Sequence, residues 1–341
     1  MTSRLRSYLQ YLLIFGATIF LVWFSLQGLI VNGTGNSYSD KWNYLFNTWQ
    51  LADKGWLLLM AGTTIVSHLI RAERWRILLQ AAKSKTTLHE SFLSLLVGYL
   101  VNLVIPRGGE ISRCYNLQQL NKTPLEVSFG TVIVDRVLDV ICLLAIIGLA
   151  FLLQTEKLLG FIDSLAMSNG SGESKLLYLA LIGSATLVIG AGVLWYLWQK
   201  PKLREKIQKI LRGFQQGLLS ILELQRPGLF IFYTVVIWGL YFIMSYMVML
   251  AFPSTSVLGM GAVLSIFALG SIAMAAPTPG GAGTYHALVP AGIAFLYAIP
   301  LADAIAFVFV FHAWQTLIVI LAGAISLLVT SFLSKRRESR N

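Results

Sequence analysis

The run from Leu125 to Leu153 is long enough to cross a bilayer as one helix, yet Asp135, Arg136 and Asp139 lie ten to fourteen residues into it. A crossing takes about 20 apolar residues in a helix, so these three side chains fall near mid-membrane. An ionised group at that depth costs several kcal/mol unless it meets a partner or a wet cavity. The run therefore demands neighbouring helices around its polar face. Comparable apolar runs occupy 8–31, 47–70, 176–198, 229–251 and 302–330. Only 12% of residues are charged against 56% apolar, with a mean hydropathy of +0.72. That composition excludes a soluble enzyme, a disordered chain and a secreted disulfide scaffold. Cys114 and Cys142 fit no metal spacing.

Two further apolar stretches end in Pro and Gly. Ser91 to Ile105 runs into Pro106-Arg107-Gly108-Gly109-Glu110, and Val257 to Ala276 into Pro277-Thr278-Pro279-Gly280-Gly281-Ala282-Gly283. Each is followed by another short segment, 110–121 and 283–299. Proline and glycine interrupt the helical hydrogen-bond ladder, so each stretch reads as a re-entrant helical hairpin. The expected fold is all-α and polytopic, with about six full spans plus two re-entrant hairpins. The run 8–31 is too long for a signal-peptide core and reads as an uncleaved span. With Arg4 and Arg6 in the cytoplasm, the base-rich segments 71–90, 199–228 and 335–341 fall on the same side. Segment 200–226 carries Leu203, Ile207, Ile210, Phe214 and Leu218 on one stripe and bases on the other, the pattern of an interfacial helix.

The hairpins match each other. Setting Gly108-Gly109 on Gly280-Gly281 and shifting by four more residues brings Arg136 onto His312 and Asp139 onto Gln315. Three crossings between the units would turn the second upside down. Inverted repeats with broken helices mark transporters. The domain reading is one transmembrane domain, 1–334, with unit one at 91–153, the basic helix at 200–226, unit two at 257–330 and a basic tail at 335–341.

Asp135, Arg136 and Asp139 either line a substrate path or form a buried structural ion pair. Arg107, Glu110 and Arg113 follow a glycine turn whose backbone N–H groups and helix dipole suit an anion, with Asn102 beside them; the competing reading is a capped surface turn. Gly280, Gly281, Tyr285, His286, His312 and Gln315 form the corresponding set in unit two, each histidine being either a proton-responsive ligand or a satisfied core side chain. Arg71 and Arg74 share a face and would help admit a lipid phosphate, while Arg76 reads as an interfacial anchor. Nucleotide, metalloprotease and hydrolase motifs are missing from the sequence, and no cofactor, metal or nucleic acid is expected.

Four motifs carry a resemblance: Arg71-x-x-Arg74-Trp75-x-x-Leu78-Leu79, Asn102-x-x-x-Pro106-Arg107-x-Gly109-Glu110-x-x-Arg113, Asp135-Arg136-x-x-Asp139, and Pro277-x-Pro279-Gly280-Gly281-x-Gly283. In this order they resemble the lysylphosphatidylglycerol synthase transmembrane, flippase-like family. The resemblance implies lipid translocation, without lipid synthesis because no soluble aminoacyltransferase domain is expected here. Many members carry Glu where His286 stands and Arg near His312. The expectation is a lipid translocase of the bacterial inner membrane, both termini cytoplasmic, moving a phospholipid or lipid-linked precursor. Its partners would be anionic or phosphate-bearing lipids; oligomeric state and proton coupling stay open. The substrate contacts would come from Arg74, Asn102, Arg107, Glu110, Arg113, Asp135, Arg136, Asp139 and the unit-two set. The alternatives are a membrane enzyme acting on lipid-linked sugars or phosphates, and a regulatory membrane subunit.

Overall fold

In the computed structural model the described residues are 16, 19, 20, 22–29, 37–167, 212, 221–276 and 278–338. The span 176–198, most of 8–31, most of the basic helix 200–226 and Pro277 lie outside them. Among the described residues there is no strand. The elements are α1 (Tyr38–Leu51), α2 (Lys54–Ala81), α3 (Leu88–Asn102), α4 (Gly109–Asn121), α5 (Leu125–Met167), α6 (Pro227–Ala251), α7 (Met260–Ala275), a 3-10 turn (Pro279–Gly281), α8 (Thr284–Tyr297) and α9 (Leu301–Glu338). Four are long and apolar enough to cross a membrane: α2, α5, α6 and α9.

The second span differs from the sequence expectation. Residues 47–51 belong to α1, and the crossing helix starts afresh at Lys54. Asp53 causes the restart: its side chain accepts from Gly55 N (2.7 Å) and Trp56 N (3.3 Å), satisfying two of the free donors at a helix start. Its own N–H donates to Ala251 O at the end of α6 (2.7 Å), which joins α2 and α6 at one end before they pack together. At the other end α2 continues past Leu69 to Ala81, so Arg71, Glu73, Arg74 and Arg76 are helical and not part of a loop. Helix α5 likewise outruns 153, with a kink at Gln154 (φ −135°). Its outer face shows Val137, Val140, Ile141 and Leu144 to the surroundings, as a lipid-facing helix must.

Both Pro/Gly stretches break the chain into half-helices that fold back on each other, α3 on α4 and α7 on α8. Helix α3 opens with a Thr87–Glu90 capping box, Thr87 N donating to Glu90 Oε2 (2.9 Å). In unit one the half-helices meet backbone to backbone. A β-carbon on Gly109 would lie 2.3 Å from Gly98 O and 2.5 Å from Asn102 Nδ2. In unit two a β-carbon on Gly281 would lie 2.0 Å from Met274 Sδ. One on Gly98 would lie 3.1 Å from Arg113 Cβ, and one on Gly270 would lie 3.1 Å from Tyr285 Cε2. All four correspondences (98 with 270, 102 with 274, 109 with 281, 113 with 285) share the offset of 172 set by the glycine pairs. Unit two differs in leaving an apolar cleft of about 390 Å³ beside Ala273, Ala276 and Ala287.

The long helices pack reciprocally. Helix α9 lies against α3 of the first unit, where Gly323 meets Leu100 and Leu96, and α5 lies against α7 of the second, where Gln154 meets Gly261. The two breaks touch: Gly280 faces Leu103, and Arg107 Nη2 donates to Ala275 O at the end of α7 (2.9 Å).

Gly109→Ala should lower thermal stability in detergent by about 1–3 kcal/mol, the usual cost of overpacking. Gly148→Ala, whose β-carbon would meet nothing within 4 Å, should not lower it, since alanine is the better helix former. Equal melting temperatures for both variants would contradict the close hairpin.

Candidate functional site

Helices α2, α4, α5 and α6 converge on a network of charges. Asp135 and Asp139, one turn apart on α5, face Arg71 and Arg74, which sit three residues apart on α2. Both spacings put the pair on one helix face. Arg74 Nη2 bonds Asp135 Oδ1 (2.6 Å) and Asp139 Oδ1 (2.8 Å). Arg71 pairs with Asp139 and lies 3.6 Å from Asp135. From α4, Arg113 Nη2 reaches Asp135 Oδ2 (3.2 Å), its guanidinium lying over the Trp75 ring at 4.5 Å. Trp75 Nε1 is held by Thr131 Oγ1 (3.0 Å). Helix α6 supplies Tyr241, which accepts from Arg71 Nη1 (2.8 Å), and Thr234, which accepts from Arg74 Nη1 (3.4 Å).

The network has a sealed depth and an open edge. Arg74 and Asp135 side chains are 0% exposed, whereas Arg136 is 37% and Glu110 22%. At that edge Arg136 Nε lies 3.1 Å from Glu110 Oε1, and Arg136 Nη1 lies 3.5 Å from Asp139 Oδ2. Four guanidinium groups meet three carboxylates, which leaves one positive charge in excess. Donors are also in excess: Arg113 Nε and Nη1, Arg71 Nε and Arg74 Nε are buried and make no hydrogen bond, and neither does Glu110 Oε2. A buried orphan donor forfeits its hydration, so the cluster keeps unspent hydrogen-bonding capacity on its arginines.

A second polar centre lies at the unit-two break. His312 Nε2 donates to Gly280 O (3.1 Å), Tyr285 stacks on His312 at 5.5 Å, and the His286 ring lies 4.8 Å from that of His312. Gln315 is partly buried one turn further along α9.

The structure gathers Arg74, Glu110, Arg113, Asp135, Arg136 and Asp139 into one site, and Gly280, Tyr285, His286 and His312 into another. Gly281 is packed on Met274. Asn102 takes a different part from the expected donor: its Oδ1 accepts from Gly109 N (2.7 Å), so the side chain closes the hairpin and caps the helix start reserved for an anion. Arg107 is exposed and serves the other hairpin through Ala275 O. Arg71, expected to admit a phosphate, is committed to Asp139 and Tyr241. Arg76 grips Glu73 through two bonds (2.7 and 2.5 Å) on the opposite side of α2. Tyr241 and Thr234 escaped sequence reasoning, because a tyrosine and a threonine in an apolar span give no sign of which helix they face.

Fold and site together define a polytopic helical membrane protein with two broken-helix units and an arginine-rich ion network between its spans. Residues 7–323 match the family model described as the lysylphosphatidylglycerol synthase TM region, and the chain belongs to that family. It is similar to two archaeal proteins. UPF0104 membrane protein MJ1595 of Methanocaldococcus jannaschii is 33% identical over 78 residues, 22% of this chain and 23% of that protein. UPF0104 membrane protein PH1989 of Pyrococcus horikoshii is 24% identical over 250 residues, 68% of this chain and 74% of that protein. No solved structure matches.

Asp135→Asn should cost about 3–5 kcal/mol, because it strips the counter-charge from buried guanidinium groups. Thermal unfolding in detergent measures this. An unchanged melting temperature would mean that Asp135 is not holding the arginines.

Proposed function

We propose that this protein moves a phosphate-bearing lipid headgroup between leaflets of the plasma membrane. The observation that carries the reading is the imbalance of the whole network: four guanidinium groups against three carboxylates leave one positive charge, buried donors on Arg71, Arg74 and Arg113 have no partner, and the Arg136–Glu110 pair at the edge is partly open. A phosphodiester brings one negative charge and oxygen acceptors, which would satisfy both excesses at once. The sealed group Arg74, Asp135 and Arg113 fixes the helices, and Arg136 and Glu110 at the open edge meet the headgroup. The acyl chains stay in hydrocarbon, so only the polar head needs the passage.

The two broken-helix units act as inverted repeats, with re-entrant hairpins meeting at the Arg107–Ala275 and Leu103–Gly280 contacts. The passage runs between them, as in transporters built from discontinuous helices. The basic segments put both termini in the cytoplasm. Membership in the lysylphosphatidylglycerol synthase TM region family supports a membrane-lipid role.

The test is headgroup accessibility in proteoliposomes carrying a fluorescent phospholipid, with a membrane-impermeant quencher outside. The protein should speed exchange over empty liposomes, and Arg136→Gln should cut that rate at least about tenfold, the effect of losing one charged contact worth about 1.4 kcal/mol. Arg136 is partly exposed, so its variant should melt near the parent temperature. A protein that exchanges no lipid, or an Arg136→Gln variant with the parent rate, would overturn the proposal.

A further inference from the structure

Two histidines, His286 buried and His312 partly buried, close the turn of unit two, and both hold the same short piece of backbone. His312 Nε2 gives its hydrogen to Gly280 O, since a carbonyl only accepts (3.1 Å). Gly283 N–H in turn donates to His286 Nδ1 (3.4 Å), a bond that requires an unprotonated nitrogen there. Between these anchors Gly280, Gly281 and Gly283 all take positive φ, 58°, 75° and 88°. Such a turn is available to glycine at low cost and to few other residues. Adding a proton to His286 Nδ1 would set one N–H against another and remove the acceptor of Gly283. Proton uptake and turn geometry are thereby tied together.

The surroundings decide when that proton can arrive. On α8 the neighbour is Tyr285. On α9 they are His312 and Phe309, whose ring lies 4.3 Å from His286. From residues 22–29 comes Ser25, whose hydroxyl donates to His286 O (2.6 Å). From unit one comes Arg107, spent on Ala275 O. Among the described residues no carboxylate pairs with either imidazole. An imidazolium here would be a buried charge without a counter-ion, which is costly, unless an anion came with the proton. The register adds a second point. His312 occupies in unit two the place that Arg136 occupies in unit one, and the two breaks touch.

We propose that His286 and His312 form a proton-binding site, and that a proton taken up by the pair turns the neutral tip of unit two into a second site for the lipid phosphate. This rests on the translocation reading above and adds its coupling. The phosphate held permanently by arginine in unit one would be held in unit two only while the pair is charged. Losing the proton would release it. The only covalent change is a proton transfer: an O–H bond of hydronium breaks as the imidazole N–H forms, and water is left; losing the proton reverses it.

The experiment is calorimetry on the full chain in detergent, in buffers of different ionisation enthalpy near neutral pH, with dihexanoylphosphatidylglycerol and, separately, inorganic phosphate as probes. Lipid binding should take up about one proton per lipid, and His286→Gln or His312→Gln should abolish that uptake. In vesicles the exchange rate should rise several-fold as the pH falls from neutral, while His312→Arg, permanently charged, should show no pH dependence. The wild-type measurement stands whether or not the variants fold. Lipid binding with a buffer-independent enthalpy would overturn the site, as would an unchanged pH profile in both Gln variants. Free phosphate taking up the same proton with the same affinity would overturn the lipid assignment. Proton uptake on lipid binding without any accelerated exchange would sink the translocation reading and leave the proton site standing.

Discussion

The cost of holding ions in hydrocarbon governs this molecule. Asp135 and Asp139 would be untenable on an isolated helix. They are tolerated because Arg71 and Arg74 on α2 and Arg113 on α4 meet them within hydrogen-bonding reach. The pairing works as a set of cross-ties. Asp135 and Asp139 are each shared by several guanidinium groups, and α2, α4 and α5 are each held by at least one such bond. Tyr241 and Thr234 bring in α6 by the same means. A hydrophobic substitution elsewhere trades one apolar surface for another, whereas loss of a member here strands a charge. That asymmetry makes the ion network, and not the apolar contacts, the element that fixes which faces of α2, α4, α5 and α6 turn inward.

Around this network the chain is organised by two interrupted helices. Each interruption exists because Pro and Gly remove ladder bonds, and each is stable because something else repays them. In unit one Asn102 supplies an acceptor for Gly109 N–H. In unit two His312 supplies a donor for Gly280 O, and Thr284 Oγ1 donates to Ala273 O (2.8 Å). The two units thus solve one problem with different chemistry. Unit one carries permanently charged side chains of both signs and is closed backbone to backbone. Unit two is aromatic, imidazole-bearing and filled by Met274. Reciprocal packing of α9 on α3 and of α5 on α7 joins each unit to a long helix of the other. That architecture is what the proposed passage of a headgroup requires.

Helix type, the two breaks and the main polar residues were legible from residue order, because apolar run length and Pro/Gly placement act locally. The all-helical, membrane-embedded character followed from runs such as 125–153 and 229–251, and the family from four ordered motifs. Boundaries were less legible. Asp53 restarts a helix inside the apolar run 47–70 because its side chain reaches Gly55 N and Trp56 N, a cap that hydropathy does not register. Arg71 and Arg74 read as one face at the end of the second span, because charge ordinarily marks the membrane edge. The helix runs on to Ala81, and their charges are answered from α5.

What sequence alone determined is therefore what chain-local physics controls: helices of crossing length, their interruption at Pro106–Gly109 and Pro277–Gly283, and the helix face shared by Asp135 and Asp139. Only the tertiary structure decided which of these charges are spent and which are left over. Asp135 is satisfied by three arginines from two other helices, Asn102 and Arg107 are consumed by the hairpins, and Arg136 with Glu110 is left at the open edge. Pairing in a low-dielectric interior depends on which side chains from distant helices arrive within about 3 Å, and residue order carries no such distance.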